Sequence, residues 1–218
     1  MSDQIKIGVS GFAECALAYP RISQRRLRPF KFNNKGEGAG RSGYYKRALD
    51  TIREFHKQHE EPDVFKTAKQ ELAAQINALD PTDFRTRTKL RKNIDALIAY
   101  EAIYGDRKFL MHPRHRLSVR IGNVLITAQP DLWVSEHGIE VLIKIGTAKK
   151  KQQHVDILIY LLRKAAISSG HRIRARNVVY LDITNGKEHC CRTDLARFNR
   201  MFRNVAQKIE QEWTGIGE

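Results

Sequence analysis

The chain has 218 residues, of which 41% are hydrophobic and 29% are charged, a composition typical of globular rather than disordered proteins. Lysine and arginine number 39 against 24 acidic residues, and the formal net charge of +15 favours a polyanionic partner such as nucleic acid. No apolar run approaches the ~20 residues of a membrane span, and the N-terminal segment lacks a signal-peptide pattern, so we expect a cytoplasmic protein without membrane contact.

Residues 1–60 are predicted to form a basic segment that leads into a helix. Glycines recur between residues 36 and 43, where they indicate a flexible loop, and the following helix is expected to end near His59. A solvated basic loop remains the alternative to a binding surface, because runs of charge usually face water. The candidates for contacts with phosphate groups in this segment are Arg25, Arg26, Arg28 and Arg41.

Two tyrosines, Tyr44 and Tyr45, stand at the start of this helix. Aromatic side chains next to basic residues are typical of surfaces that stack on exposed bases. Packing in the core is the competing role, and we expect it for at least one of the two.

Residues 61–106 are predicted to form a helical insertion of two helices. Apolar residues recur at helical spacing in "DVFKTAKQELAAQINAL" and in "FRTRTKLRKNIDALIAYEAIYG". The "DPTD" at residues 80–83 separates them and offers Thr82 or Asp83 as an N-cap. Acidic residues concentrate in this insertion, so we do not expect it to contact a polyanion.

Residues 107–218 carry the signals of a sheet. "HRLSVRIG", "NVLITAQPDLWVS" and "IEVLIKIG" predict a three-strand meander, and "VDILIYLLRKAAISSG" predicts a helix that ends at Gly170. The Asn-Gly pair in "NVVYLDITNGKEHCCRTD" indicates a hairpin, and the final amphipathic helix begins at an Asp194 cap. Helices, meander, helix, hairpin and helix predict an α/β fold with a mixed sheet, in one domain spanning residues 1–218.

The three cysteines do not suggest a redox or metal site. Cys190 and Cys191 are adjacent on a predicted strand, so their side chains point to opposite faces and suit neither a disulfide nor chelation. With Cys15 they supply three of the four ligands that an iron–sulfur cluster needs. We therefore expect reduced, structural thiols.

The segment from residue 120 to residue 162 resembles the PD-(D/E)xK nuclease superfamily, in particular its RecB-like and Cas4-like exonuclease branch. Pro130-Asp131 matches the first acidic site, Lys144-Ile145-Gly146 falls where the (D/E)-x-K motif belongs, and Tyr160 keeps the tyrosine of a helical Q-x-x-x-Y motif. The resemblance implies a restriction-endonuclease-like fold: a mixed central sheet flanked by helices, with an N-terminal helical lobe. It also implies phosphodiester cleavage with Mg²⁺ or Mn²⁺.

The departures from this pattern bear on the chemistry. Metal-dependent hydrolysis needs at least two oxygen ligands on the ion and a lysine near the attacking water. Strand periodicity places Lys144 and Gly146 on one face, at the positions of the second acid and the lysine. We therefore expect Asp131, Lys144 and Tyr160 to form a vestigial or divergent site. No cofactor is expected, and Asp131 is a metal ligand only if the protein is active; Glu136 and Asp156 contribute only if the geometry differs.

The resulting hypothesis is a nucleic-acid-binding protein, inactive as a nuclease, that acts as a subunit of a DNA-processing, mobile-element or defence complex. DNA is favoured over RNA as the partner. The basic loop after the motif adds Lys149, Lys150, Lys151 and His154 to the candidate contacts. Two alternatives stay open: an active, divergent nuclease that uses Asp131 with Mg²⁺ or Mn²⁺, and an adaptor whose basic surface docks an acidic protein.

Overall fold

A computed structural model describes residues 4–32, 44–57, 61, 63–113, 115–147, 149–191 and 196–216. The helices of this part of the chain are α1 (Val9–Ala18), α2 (Gln24–Phe32), α3 (Lys46–Lys57), α4 (Asp63–Ala78), α5 (Phe84–Tyr104), α6 (Gln152–Ser168) and α7 (Ala196–Thr214). The strands are β1 (Ile5–Gly8), β2 (Leu110–Met111), β3 (Leu117–Ile121), β4 (Val124–Ala128), β5 (Leu132–Glu136), β6 (Ile139–Gly146), β7 (Val178–Asp182) and β8 (Lys187–Cys190).

The larger sheet has five strands in the order β2-β5-β6-β7-β8. Strands β6 and β7 are parallel, with Gly146 paired to Asp182, and α6 makes the crossover between them. The other neighbours are antiparallel, so the sheet is mixed, and the α/β prediction is confirmed. The hairpin of β7 and β8 turns at Gly186, which has a φ of +67°, as the Asn-Gly pair predicts.

The predicted three-strand meander is wrong. Strands β3 and β4 pair with each other but belong to a separate three-stranded sheet, in which β1 runs parallel to β4. The run "NVLITAQPDLWVS" is therefore two strands in two sheets. The sequence reading also did not anticipate β1, β2, α1 or α2.

The break between β4 and β5 falls at residues 129–131. Pro130 has no N–H to donate to a ladder, so a strand is easily interrupted there. After the break the N–H of Asp131 donates to the carbonyl of Ile143 at 2.9 Å, and β5 then pairs with β6. Asp131 thus lies directly before β5.

The five-stranded sheet is covered on both faces. Trp133, Leu142 and Tyr180 pack on the face that carries α6, in a core shared with α1 and α7. Leu132, Ile143 and other alternate residues pack on the opposite face against the buried side chains of α3, α4 and α5. The two helices predicted for residues 61–106 are therefore present as α4 and α5, and they pack beside the sheet.

Two further sequence predictions are confirmed locally. The side chain of Asp83 accepts from the N–H of Thr86 at 3.0 Å and caps α5, which decides between the two candidate caps. None of the three cysteines forms a disulfide; Cys190 is exposed and Cys191 is buried, as expected for adjacent side chains that point to opposite faces. None of the helices in the described residues is long and apolar enough to cross a membrane.

Asn93 connects two helices of the helical lobe, which consists of α3, α4 and α5. Its side chain is buried; it accepts from the N–H of Ala48 at 3.0 Å and donates to the carbonyls of Tyr44 and Lys89 at 2.8 Å. These bonds fix the start of α3 against α5. Buried backbone groups that lose their partner are expensive, because water does not replace it.

We expect Asn93→Ala to lower the free energy of unfolding by roughly 2–4 kcal/mol. The substitution removes the hydrogen-bond partner of the Ala48 N–H and of the Tyr44 carbonyl. Urea denaturation followed by circular dichroism measures the change. Asn123→Ala, in the exposed turn after β3, is the control and should shift stability by about 0.5 kcal/mol or less. Equal effects of the two substitutions would contradict this role for Asn93.

Candidate functional site

Asp131 is a buried carboxylate with three donors around it. Its side chain is 10% exposed, and Oδ2 accepts from the backbone N–H of Ile145 at 2.8 Å. The ammonium of Lys144 lies 3.2 Å from the same oxygen. A buried charge is stable only when it is paired and hydrogen-bonded, and both conditions are met here.

The third donor comes from the helical lobe. The guanidinium of Arg53, on α3, lies 3.8 Å from Asp131 Oδ1, and its Nε donates to the Asp131 carbonyl at 3.2 Å. The same guanidinium reaches Asp50 at 2.8 Å, and Lys144 also donates to the carbonyl of Gln129 at 3.4 Å. The carboxylate therefore links β6, the β4–β5 connection and α3. Arg53 was not among the predicted site residues, because nothing in the sequence pattern around it signals a contact with Asp131.

These residues do not fit a divalent cation. A doubly charged ion about 4 Å from one carboxylate gains roughly 8 kcal/mol at an effective dielectric constant of about 20, and one ammonium at the same distance opposes it equally. Lys144 cancels the attraction of Asp131, and Arg53 adds further repulsion. Within the described ranges, no group of three or more histidine, cysteine, aspartate or glutamate side chains is arranged to hold a metal.

Gly146 is the second altered position of the motif, and Tyr180 occupies the space beside it. A Cβ atom at residue 146 would overlap the hydroxyl and ring of Tyr180 on the neighbouring strand. The Tyr180 hydroxyl is buried, and none of the described residues forms a hydrogen bond with it. Burial, together with the carboxylates of Asp182 and Asp131, raises the pKa of Tyr180, so the phenol stays protonated.

Asp182, paired with Gly146, is the other buried carboxylate at this edge of the sheet. Its Oδ1 accepts from the N–H of Thr184 at 2.9 Å and from the Thr184 hydroxyl at 2.6 Å. Asp182 therefore stabilises the turn between β7 and β8, as aspartate commonly does in turns.

The basic loop of residues 149–151 connects this edge to the start of α6. Lys149 and Lys151 are exposed, and Lys151 is the N-cap of α6. Since β6 ends at Gly146, the loop begins beside the altered motif. A helix N-terminus carries a partial positive charge and free backbone N–H groups, so loop and helix together suit an anion.

His154 contacts the basic loop from within the core. Its side chain is buried, and Nε2 lies 3.2 Å from the ammonium of Lys150. Burial, and then the charge of Lys150, lowers the pKa of His154 to about 4, so the imidazole is neutral at pH 7. We find His154 positioned to accept a hydrogen bond from Lys150 rather than to present an exposed contact.

The other predicted contacts are spread more widely. Arg25, Arg26 and Arg28 are exposed on α2, and Arg26 donates to the carbonyl of Glu14 in α1 at 3.3 Å. The neighbouring Lys31 donates to the carbonyl of Ile216 at 2.7 Å, so α2 adjoins the end of α7. These contacts do not bring α2 to Asp131. Arg41 lies outside the described residues.

Tyr44 and Tyr45 lie just before α3. Their ring centroids are 5.0 Å apart, and Tyr45 packs against the core of the helical lobe, as expected for at least one of them. Tyr44 is half-buried. It retains part of its ring for contact with solvent or a ligand.

Tyr160 contacts residues of α7 and not Asp131. The Tyr160 hydroxyl donates to Asn199 of α7 at 2.8 Å, and its ring packs on Phe198 and Phe202. Among the described contacts, Tyr160 joins α6 to α7 rather than completing a site with Lys144.

Glu136 and Asp156, the further carboxylates considered in the sequence, also have partners, as does Glu140. Glu136 is bound by the guanidinium of Arg107 at 2.6 and 2.7 Å, which lowers its pKa. Glu140 accepts from the indole N–H of Trp133. Asp156 accepts from Gln152 at 2.7 Å. These contacts are structural, and none is shared with Asp131.

No protein-family model matches the chain, and no curated protein matches it closely enough to count as a relative. A function for this chain therefore rests on its own residues.

We expect Gly146→Ala to lower the free energy of unfolding by about 1–3 kcal/mol, because the new methyl group overlaps Tyr180. Combining it with Tyr180→Leu should recover part of this loss, and chemical denaturation of both single variants and the double variant gives the coupling energy. Strictly additive effects would show that Tyr180 does not restrict residue 146.

Proposed function

We propose that this protein binds nucleic acid through a nuclease-like scaffold that no longer cleaves it. The observation that carries the proposal is the pairing of the buried Asp131 carboxylate with Lys144 and Arg53. Lys144 and Arg53 occupy the carboxylate that would hold the ion of a metal-dependent nuclease, so the site lacks the ion that activates water. The exposed Lys149 and Lys151 of the loop that follows supply positive charge for phosphate.

The geometry supports a likeness to the PD-(D/E)xK superfamily. That resemblance assigns the two acidic positions to residues 131 and 144, which are 13 positions apart in sequence, and their side chains meet at 3.2 Å. The order of β5, β6, the basic loop, α6 and the parallel strand β7 also agrees with the arrangement it implies. We propose a restriction-endonuclease-like fold on these grounds.

The altered motif positions also fit together as a set. Lys144 takes the place of an acid, and Gly146 takes the place of a lysine whose side chain would overlap Tyr180. A lysine could not be restored at residue 146 without moving Tyr180. This dependence favours a site that has lost catalysis over one that has merely drifted in sequence.

The binding surface in this proposal is the edge formed by the basic loop and the start of α6. The exposed Lys149 and Lys151 follow Lys144 in the sequence by five and seven residues. The net charge of +15 provides long-range attraction for a polyanion. Contacts of this kind hold the phosphate backbone and do not read sequence. A non-cleaving binder suits a subunit of a cytoplasmic DNA-processing, mobile-element or defence complex, with DNA as the favoured polymer.

The proposal is tested by titrating labelled single-stranded DNA, duplex DNA and RNA with the full-length protein between 50 and 200 mM salt. If six to ten phosphates are engaged, affinity for duplex DNA should fall by roughly 10³ to 10⁵ across this range. The double variant Lys149→Gln/Lys151→Gln should bind less tightly and with a shallower dependence on salt, by about 1.8 in the logarithmic slope.

The matched control is Lys66→Gln/Lys92→Gln, which removes two exposed charges from α4 and α5, outside the proposed binding surface, and should leave the slope unchanged. Gel analysis of the same mixtures with Mg²⁺ or Mn²⁺ should show intact DNA. Cleavage that disappears in Asp131→Asn would establish the active nuclease instead. Absence of binding at 50 mM salt would favour an adaptor for an acidic protein.

A further inference from the structure

A group of cations gathers where α6 meets α7, away from the Asp131 contacts. Lys164 of α6 donates to Asn199 Oδ1 of α7 at 2.6 Å, and Tyr160 donates to the same oxygen at 2.8 Å. The side chain of Lys164 is half-buried, and its ammonium lies 5.9 Å from the centre of the Tyr160 ring. One amide oxygen therefore serves two donors, and the ammonium has further N–H groups to place.

Two arginines near this contact add further donors. Arg163 is half-buried, and its Nε is shielded from solvent and has no hydrogen-bond partner among the described residues. Arg203 lies one turn after Asn199 on α7, and burial, followed by the charge of Arg203, lowers the pKa of Lys164. A donor shielded from solvent costs free energy until an acceptor replaces its lost hydrogen bond to water.

The acidic groups described nearby are fewer than these cations. Burial raises the pKa of the Cys191 thiol to about 11 despite the opposing charge of Arg163, so this neighbour stays neutral. Asp156, which also acts on Cys191, supplies one negative charge and bonds to Gln152. Within the described residues, the surface around Lys164 offers donors to an incoming anion.

We infer that Arg163, Lys164 and Arg203 form a second phosphate-binding subsite for the nucleic-acid backbone, which we call the α6–α7 subsite. A phosphate supplies several acceptor oxygens and a negative charge, the two properties that this cluster lacks. The inference rests on the proposed function and extends it, since it adds a surface that the altered nuclease motif does not include.

The distance between the two surfaces sets the length of nucleic acid required. Lys151 and Lys164 are 13 residues apart along α6, or about 20 Å at 1.5 Å per residue. This corresponds to roughly six nucleotide steps at 3.4 Å each. A nucleic acid contacts both surfaces only when it exceeds this length.

The experiment compares wild type, Lys164→Gln and Arg203→Gln in binding titrations with labelled duplexes of 6 and 20 base pairs. Each variant should bind the longer duplex about fivefold less tightly and reduce its logarithmic salt slope by about 0.9, the signature of one lost phosphate contact. Binding of the shorter duplex should change less. Lys66→Gln, an exposed lysine of α4, is the matched control and should leave the slope unchanged.

Arg203→Gln guards against a folding defect, because Arg203 is exposed whereas Lys164 bonds to Asn199. Thermal melts confirm that each variant is folded. If wild type binds and both variants match Lys66→Gln, the α6–α7 subsite is refuted while the proposed function stands. If wild type binds neither duplex, the proposed function fails, and the ligand class inferred for this cluster fails with it.

Discussion

The pairing of Asp131 with Lys144 and Arg53 is the interaction on which the rest of this structure depends. It joins the central strand β6, the connection between the two sheets and the helical lobe through one buried carboxylate. Removing one partner of such a group is strongly destabilising, since an unpaired charge is left in a poorly solvated place. The same contact decides the chemistry, because the charge that would attract a metal ion is already neutralised.

The surrounding residues are adjusted to this arrangement. The N–H of Ile145 holds Asp131 Oδ2, and Gly146 leaves room for the Tyr180 ring on the neighbouring strand. The ammonium of Lys144 pairs with Asp131, so this carboxylate is not open to a metal ion. Exposed lysines in the loop that follows place positive charge on the adjacent surface. In the proposed function, these lysines contact a phosphate backbone without any bond being broken.

Local signals were sufficient to predict several parts of the fold. Asp83 and the residues before it interrupt two amphipathic helices, and the Asn-Gly pair sets the hairpin of β7 and β8. Apolar alternation alone did not separate β4 from β5, because both halves of that run have the same strand pattern. Their assignment to different sheets depends on Asp131 pairing with Ile143, a tertiary contact.

The candidate site divides in the same way. The resemblance to the nuclease motif was enough to bring residues 131 and 144 into one prediction. The roles of Arg53 and Tyr180 were not predictable, because each reaches the site from an element distant in sequence, and charge or size at one position does not reveal such a partner. Arg163 and Lys164 were not predicted as site residues for a similar reason. They belong to a cluster of cations only when α7 packs beside α6.

The most direct test of the central claim is a calorimetric titration of the purified protein with Mn²⁺, in parallel with Asp131→Asn. Neutralisation of Asp131 by Lys144 and Arg53 predicts no saturable binding that depends on Asp131 up to about 1 mM, where a site would contribute roughly 4 kcal/mol. Saturable binding at lower concentrations that is lost in Asp131→Asn would contradict the account, because the carboxylate would then hold a metal despite its two cationic neighbours.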